Sequence, residues 1–304
     1  MDVLLVGAGV IGTVYGCQLA AGGRRVSVLA HGSRTAEVAS SGLTAIDVMT
    51  GARAAAQVRV VHDAGGVPYD LVLIAVRADQ LGPAASALRS LAGRPALLFF
   101  GNNPSGRAAL PADLPGTTNL GFPGVGGSMA GGTAEYVRIP RQPTTLEAGG
   151  GPAIGEFAAT LSGHGFAVTR TADMDGWLAY HAVFIGSIAA ALHRCGGSAA
   201  ELAADRATLT LMCRSIEEGF ASLARQGVSG LPRNLRTLHG PLLRPVAIRY
   251  WGQTMRSPMG ERCFAAHCRH AESEMRALAA AAIERAGDAS HTARLRELVA
   301  SSAR

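Results

Sequence analysis

The chain of 304 residues contains no lysine: all 28 of its basic residues are arginine. That absence excludes a lysine Schiff base, a lysine general acid and every other lysine chemistry, whatever fold the chain adopts. A coding bias toward Arg and Ala accounts for the composition without changing its chemical consequence. Aromatic residues are also scarce, at 5%, against 48% hydrophobic residues and 39 glycines, so helices are expected to pack closely through small side chains. No long polar or Pro/Ser-rich tract interrupts the apolar pattern, which excludes extended disorder. Cys17, Cys195, Cys213, Cys263 and Cys268 are an odd set with no C-x-x-C pair, which fits free thiols in a reducing compartment rather than a disulfide framework. No signal-peptide pattern precedes the first strand, and no apolar run approaches the roughly 20 residues of a membrane span. The expected location is the cytoplasm. The formal net charge of +6 comes from scattered arginines with no dense run, so neither nucleic acid nor membrane is an expected partner.

What is present begins at the N-terminus. Met1-Asp2-Val3-Leu4-Leu5-Val6 reads as a buried strand and runs directly into Gly7-Ala8-Gly9-Val10-Ile11-Gly12, a G-x-G-x-x-G that opens a helical pattern. In that context Gly7 allows the tight turn, Gly9 lets the backbone approach a pyrophosphate, and Gly12 lets helix and strand pack closely. The helix N-terminus then offers its N–H groups to phosphates. The alternative is a glycine turn with no ligand. The helical pattern ends at Gly22-Gly23, and Arg25 to Ala30 reads as a second strand. Residues 43 to 61 suggest a hairpin inserted into the wound sheet, with further strands at 71 to 76 and 96 to 100 and short strands continuing to about 148.

Beyond a strand at 166 to 170 the pattern becomes helical, which predicts two domains: a dinucleotide-binding Rossmann-type α/β domain over 1–171 and an all-helical domain over 172–304. In the second domain, 177 to 192 reads as a buried central helix, 201 to 226 as one long helix, 231 to 245 as a proline-rich loop, and 258 to 286 as a continuous last helix.

An NAD site usually carries an acidic residue at the end of the second strand, whereas an arginine accommodates the 2′-phosphate of NADP. Here the stretch reads Ala30-His31-Gly32-Ser33-Arg34, with no carboxylate and three donors, His31, Ser33 and Arg34. Arg77, just past the third main strand, offers a second cation. NADPH is therefore the expected cofactor, the alternative being that Arg34 is a solvated surface residue.

The fingerprint, the basic residue after the second strand, Ala75-Val76-Arg77-Ala78-Asp79-Gln80, Phe100-Gly101-Asn102-Asn103, the Trp177 helix and Glu274-Met275-Arg276-Ala277-Leu278 occur in an order that resembles the ketopantoate reductase family over nearly the whole chain. The resemblance implies a Rossmann-type domain, a helical domain and an interdomain cleft where NADPH reduces a small 2-oxo acid. It also implies a homo-oligomer, taken as a homodimer through the helical domain. Cofactor contacts are expected from Gly7, Ala8, Gly9, Val10, Ile11, Gly12, His31, Ser33, Arg34, Val76, Arg77, Gln80 and Asn102. The resemblance gives Asn102 and Glu274 to the catalytic site, although the Asn102-Asn103-Pro104-Ser105-Gly106 stretch also suits a turn made by either asparagine.

The family's lysine position, two residues beyond the helix tryptophan, is Ala179, and its later asparagine positions fall on Val183 and on Gly186 or Ser187. Tyr180 with Ser187 as its partner, or His181, are candidate proton donors, or else packed polar groups. Cys263, His267, His270 and Glu274 would form one polar stripe on a continuous helix, placing His267 and His270 as substrate contacts; no metal is expected. Two readings follow. The first is an NADPH-dependent reductase of a small carbonyl or imine; the second is a dinucleotide-binding or cyclase-like protein without redox turnover. On the first, Ala179→Lys is expected to create or raise ketopantoate reduction.

Overall fold

Val3, Leu4, Leu5 and Val6 are all buried in β1 (Asp2–Val6), the pattern of a parallel strand covered on both faces. The computed structural model describes residues 1–29 and 33–302, without the side chains of Ser33, Asp79 and His270. β1 leads into α1 (Val10–Ala21) and then β2 (Arg25–Leu29), parallel to β1. There follow α2 (Ser33–Ser41), β3 (Leu43–Asp47), β4 (Arg53–Ala56), β5 (Arg59–Val61), β6 (Leu71–Ile74), α3 (Leu81–Leu88) and β7 (Ala96–Phe100). β8 (Thr117–Phe122), β9 (Val125–Ala130), β10 (Thr133–Arg138), β11 (Thr144–Glu147), α4 (Gly151–Gly163) and β12 (Val168–Thr171) complete the α/β part.

Among the described residues, eight strands form one sheet in the order β12-β11-β8-β7-β6-β1-β2-β5, parallel throughout except where β11 runs against β8. The chain leaves β1 for β2 on one side and later enters β6 on the other. In such sheets the switch point opens a crevice at the carboxyl ends of the strands, which places Gly7 after β1 and Arg77 after β6 at its rim. The hairpin expected inside this sheet lies elsewhere. β3 and β4 pair antiparallel, but in a separate sheet of order β4-β3-β10-β9, and only β5 rejoins the large sheet. The alternating burial of β3 explains the separation: Leu43 and Ala45 need a layer to cover them, and a Cβ on Gly16 of α1 would stand 2.8 Å from Leu43 Cδ1.

Two compact units result, Met1–Gly101 with Leu110–Ala172, and Asn102–Ala109 with Asp173–Arg304. A boundary read along the chain near residue 171 leaves out the excursion of Asn102–Ala109 into the helical unit. That unit contains α5 (Met174–Arg194), α6 (Ala199–Ala204), α7 (Arg206–Arg225), α8 (Arg233–Leu238), α9 (Arg244–Arg256), α10 (Ala266–His270), α11 (Glu272–Ala286) and α12 (Ala293–Ser301). Asp173 caps α5 by accepting the Gly176 N–H at 2.7 Å. Contrary to the expectation of no membrane-length apolar run, α5 is long and apolar enough to cross a bilayer, yet 89% of that window is buried within the fold. It is a core helix, approached closely through small residues: a Cβ on Gly186 would lie 3.1 Å from Ala279 Cα, and one on Gly219 2.4 Å from Val183 Cγ1.

Three helical expectations change. The helix over 201 to 226 is broken at Asp205, whose carboxylate accepts the Thr208 N–H and hydroxyl and so starts α7 afresh. The proline-rich stretch is not all loop, because Pro245 sits in the first turn of α9, where its missing N–H costs nothing. The last helix is interrupted by a π-helical segment at Gly260–Ala265 and by Ala271, at φ −120° and ψ 38°.

Candidate functional site

The turn after β1 packs two of its glycines tightly and leaves the third in open space among the described residues. Gly7 has φ +94°, and a Cβ there would lie 2.7 Å from the Ala75 carbonyl oxygen and 2.8 Å from Val76 Cγ1. Gly12 is tighter still, with its Cβ position 2.0 Å from the Gly7 carbonyl oxygen. Those two glycines serve the fold. Gly9 does not: among the described residues a Cβ there would meet nothing within 4 Å, so its lack of a side chain relieves no contact with them. Gly9 is also the N-cap of α1 and supplies no side-chain bond, which leaves the amides of Val10, Ile11 and Gly12 without a capping side chain at the positive end of the helix. Ala8 is buried and its carbonyl accepts from the Thr13 hydroxyl at 3.2 Å. This cradle fits the pyrophosphate of a dinucleotide.

After β2, His31 lies outside the described residues, and only the backbone of Ser33 is described, at the start of α2. Arg34 is engaged rather than solvated. Its Nε donates to the Ala8 carbonyl at 3.0 Å, Nη1 to Glu37 Oε2 at 2.6 Å and to the Gly132 carbonyl at 3.1 Å, and Nη2 to the Thr13 hydroxyl at 3.3 Å. The guanidinium thereby ties the fingerprint turn, α1, α2 and the β9–β10 turn together. Glu37 and Gly132 were not among the residues singled out from sequence; the i, i+3 spacing of Arg34 and Glu37 on one helix was the available signal. Val76 packs on the fingerprint turn through Gly7, while Arg77 and Gln80 are exposed at the start of the next helical segment.

In the helical unit, Asn102 Nδ2 donates to Glu274 Oε1 at 3.3 Å, joining residues 172 apart in sequence. Asn103 does the turn work instead, donating through Nδ2 to the Gly106 carbonyl at 2.7 Å. The two asparagines thus have separate tasks. Asn102 Oδ1 is buried and has no hydrogen-bond partner among the described residues, and the same holds for Ser187 Oγ in the middle of α5. A buried polar atom without a partner costs about 1–3 kcal/mol, so two such atoms point to an absent ligand or to water. His193 of α5 reaches the Cys268 carbonyl, and Gly186 approaches Ala279, so the two chain segments run in opposite directions and Glu274 falls opposite the stretch of α5 from 186 to 193, which includes Ser187.

The other α5 candidates are corrected by their surroundings. Ala179, at the family's lysine position, is completely buried in the helical core. Tyr180 donates its hydroxyl to the Val228 carbonyl at 2.9 Å and packs edge-on against Phe220, so its proton is not shared with Ser187, and burial raises its pKa. His181 stacks on Trp177 with ring centroids 4.9 Å apart, and burial pushes its imidazole down to about 3. It is neutral near pH 7 and has no imidazolium proton to give, which favours the packed polar group over the candidate proton donor. The Cys263–His267–His270–Glu274 stripe dissolves as well. The π-helical segment holding Cys263 and the break at Ala271 put these residues on three differently phased segments. His267 is half-buried on α10, and the His270 side chain lies outside the description. Among the described residues no group of three or more His, Cys, Asp or Glu could hold a metal ion.

Residues 3–118 match the family described as ketopantoate reductase PanE/ApbA. Solved structures match over the whole chain. A PanE/ApbA family ketopantoate reductase from Ralstonia eutropha JMP134 is 23% identical with a TM-score of 0.77, covering 100% of this chain and 97% of that one. D-mandelate dehydrogenase, solved with NADH and anilino(oxo)acetate, is 16% identical with a TM-score of 0.72, covering 99% and 98%. The 2-dehydropantoate 2-reductase of Methylococcus capsulatus is 18% identical with a TM-score of 0.64, covering 99% and 95%. At these identities the likeness to the solved structures is one of fold. No curated protein sequence matches the chain.

Proposed function

We propose, from the ketopantoate reductase PanE/ApbA domain carried by residues 3–118 and from a fold shared with that family's structures, that this protein is an NADPH-dependent oxidoreductase acting on a small carbonyl or imine compound. The observation that carries the reading is the cradle at Gly9, where open space and uncapped helix amides coincide with two glycines that the turn itself requires. The dinucleotide supplies a hydride when bound. Gly7 to Gly12 would hold its phosphates and Arg34 and Arg77 would serve its adenosine end; His31, Ser33, Val76 and Gln80 complete the assignment.

The chemistry of the substrate is narrowed by what is missing. With no lysine in the chain and Ala179 sealed in the core, nothing at that position can donate a proton or bind a substrate carboxylate. The polar pair that remains is Asn102 and Glu274. The Asn102 amide holds one carboxyl oxygen of Glu274, leaving the other oxygen to accept from a substrate N–H or O–H, while Asn102 Oδ1 lacks a partner of its own. A carboxylate in that place favours a substrate that arrives already cationic, and an iminium needs no added general acid. Ser187, with its buried unpartnered hydroxyl, is assigned a substrate contact, and His267 and His270 remain secondary assignments. The reading includes a cytoplasmic homodimer associating through the helical unit, which sedimentation of the purified protein checks.

The buried Ala179 also supports a second reading, a dinucleotide-binding or cyclase-like protein without redox turnover. Incubation with NADPH and a panel of cyclic imines, 2-oxo acids and aldehydes separates the two. Loss of nicotinamide absorbance with a member of the panel, abolished in Glu274→Ala, supports the reductase; NADPH binding with no oxidation across the panel supports the second reading.

A further inference from the structure

The end of β2 carries no acidic residue, but a carboxylate lies one turn inside the following helix. Glu37 of α2 places Oε2 2.6 Å from Arg34 Nη1, and the pair is only partly solvated, with side chains 19% exposed for Arg34 and 42% for Glu37. The β9–β10 turn makes room for this carboxylate: Gly132 has φ +79°, and a Cβ there would fall 1.8 Å from Glu37 Oε1. The Gly132 carbonyl meanwhile accepts from the same Arg34 nitrogen at 3.1 Å. A guanidinium has five N–H donors, and four hydrogen bonds already run to Ala8, Glu37, Gly132 and Thr13.

Resting on the cofactor reading above, we infer that Glu37 is a specificity-determining residue of the adenosine end, one that weakens the preference for a 2′-phosphate and lets the chain take NADH as well as NADPH. A phosphate dianion reaching Arg34 finds one N–H left on Nη2, must displace an existing acceptor to gain a second, and shares its neighbourhood with the like charge of Glu37. The ribose hydroxyl of NADH brings no charge and leaves the ion pair standing. Arg34 in its present arrangement is a clamp on the fingerprint turn whose charge is already balanced, not a cation held open for a phosphate.

The test is the dissociation constant of each nucleotide, read by fluorescence titration of wild type and Glu37→Gln at low and high ionic strength. The amide keeps the size and hydrogen bonding of Glu37 while removing its charge, so Glu37→Gln should bind NADPH about three- to tenfold more tightly at low salt, with NADH changed by less than about twofold and the gain shrinking as salt screens the charges. Arg34→Ala removes four hydrogen bonds and risks the fold, so Glu37→Ala is the second variant and should shift the NADPH-to-NADH preference in the same direction. Unchanged or weaker NADPH binding by Glu37→Gln, with wild type binding both nucleotides, overturns the inference and leaves the cofactor reading intact. Wild type binding neither nucleotide overturns both.

Discussion

Gly7, Gly9 and Gly12 are the same residue type in one motif, and the structure divides them by what a methyl group would strike. At Gly12 it would strike the Gly7 carbonyl oxygen, a backbone atom that cannot turn aside. Gly12→Ala should therefore lose about 2–4 kcal/mol of stability in a urea titration, the scale of overpacking at a rigid contact. At Gly9 the methyl would enter open space. Gly9→Ala should unfold within about 0.5 kcal/mol of wild type and yet bind NADPH at least about tenfold more weakly, because the methyl occupies the line along which the phosphates approach. Equal loss of stability in both variants would make the motif a purely structural turn. The motif itself was legible in the sequence, since its spacing and flanking strand are local. The split between Asn102 and Asn103 was not: both suit a turn, and only a partner 172 residues away distinguishes them.

At the scale of elements, α5 shows where sequence periodicity stops. Its apolar character all round made a core helix legible, but not which neighbours its polar side chains would meet. Tyr180 turns toward Val228, and His181 lies flat on Trp177, so neither behaves as its position along the helix suggested. Ala179 carries the sharper consequence. Replacing the alanine by lysine, expected from the sequence to create or raise ketopantoate reduction, would instead bury an ammonium in an apolar core. Ala179→Lys should cost about 3–5 kcal/mol by thermal or urea unfolding and yield no ketopantoate reduction in fractions that remain folded. A stable, active Ala179→Lys protein would show that this part of α5 opens in solution. The lost stripe around Cys263 has the same origin. A π-helical segment shifts the phase of a helix without any mark in composition, so an 11-residue spacing that reads as one face is divided by local backbone geometry.

For the molecule as a whole, the class of fold was legible because alternating strands and helices followed by uninterrupted helical pattern leave few architectures open. The entry of Asn102–Ala109 into the helical unit was not, because nothing in that short segment records which core it joins. The burial of two histidines in the helical unit has a consequence for the entire fold. His181 is pushed down to about 3 and His239 to about 4, both by burial, from an ordinary value of 6.5. Trp251 Nε1 donates to His239 Nε2 at 3.4 Å, so that ring is held in its neutral form. Below pH 6.5 the unfolded chain takes up protons at both positions that the folded chain refuses. The stability due to the neutral rings is therefore fully present above the unfolded value and is lost as the pH falls toward the folded values. Each histidine should contribute a slope of about 1.4 kcal/mol per pH unit, so urea unfolding between about pH 6 and 4.5 should show stability falling by about 2–3 kcal/mol per unit. The lowered carboxylates, Asp2, Asp63, Asp113, Asp205 and Asp288, start from 3.8 and add to the slope only at the acid end of that window and below it. His181→Phe keeps an aromatic ring against Trp177 and removes one titrating group, so its slope should fall to about half that of wild type whatever its stability at neutral pH. A wild-type stability that stays level across the window would mean that the two imidazoles are reached by water in the folded protein, and that the helical core around α5 is looser than its packing indicates.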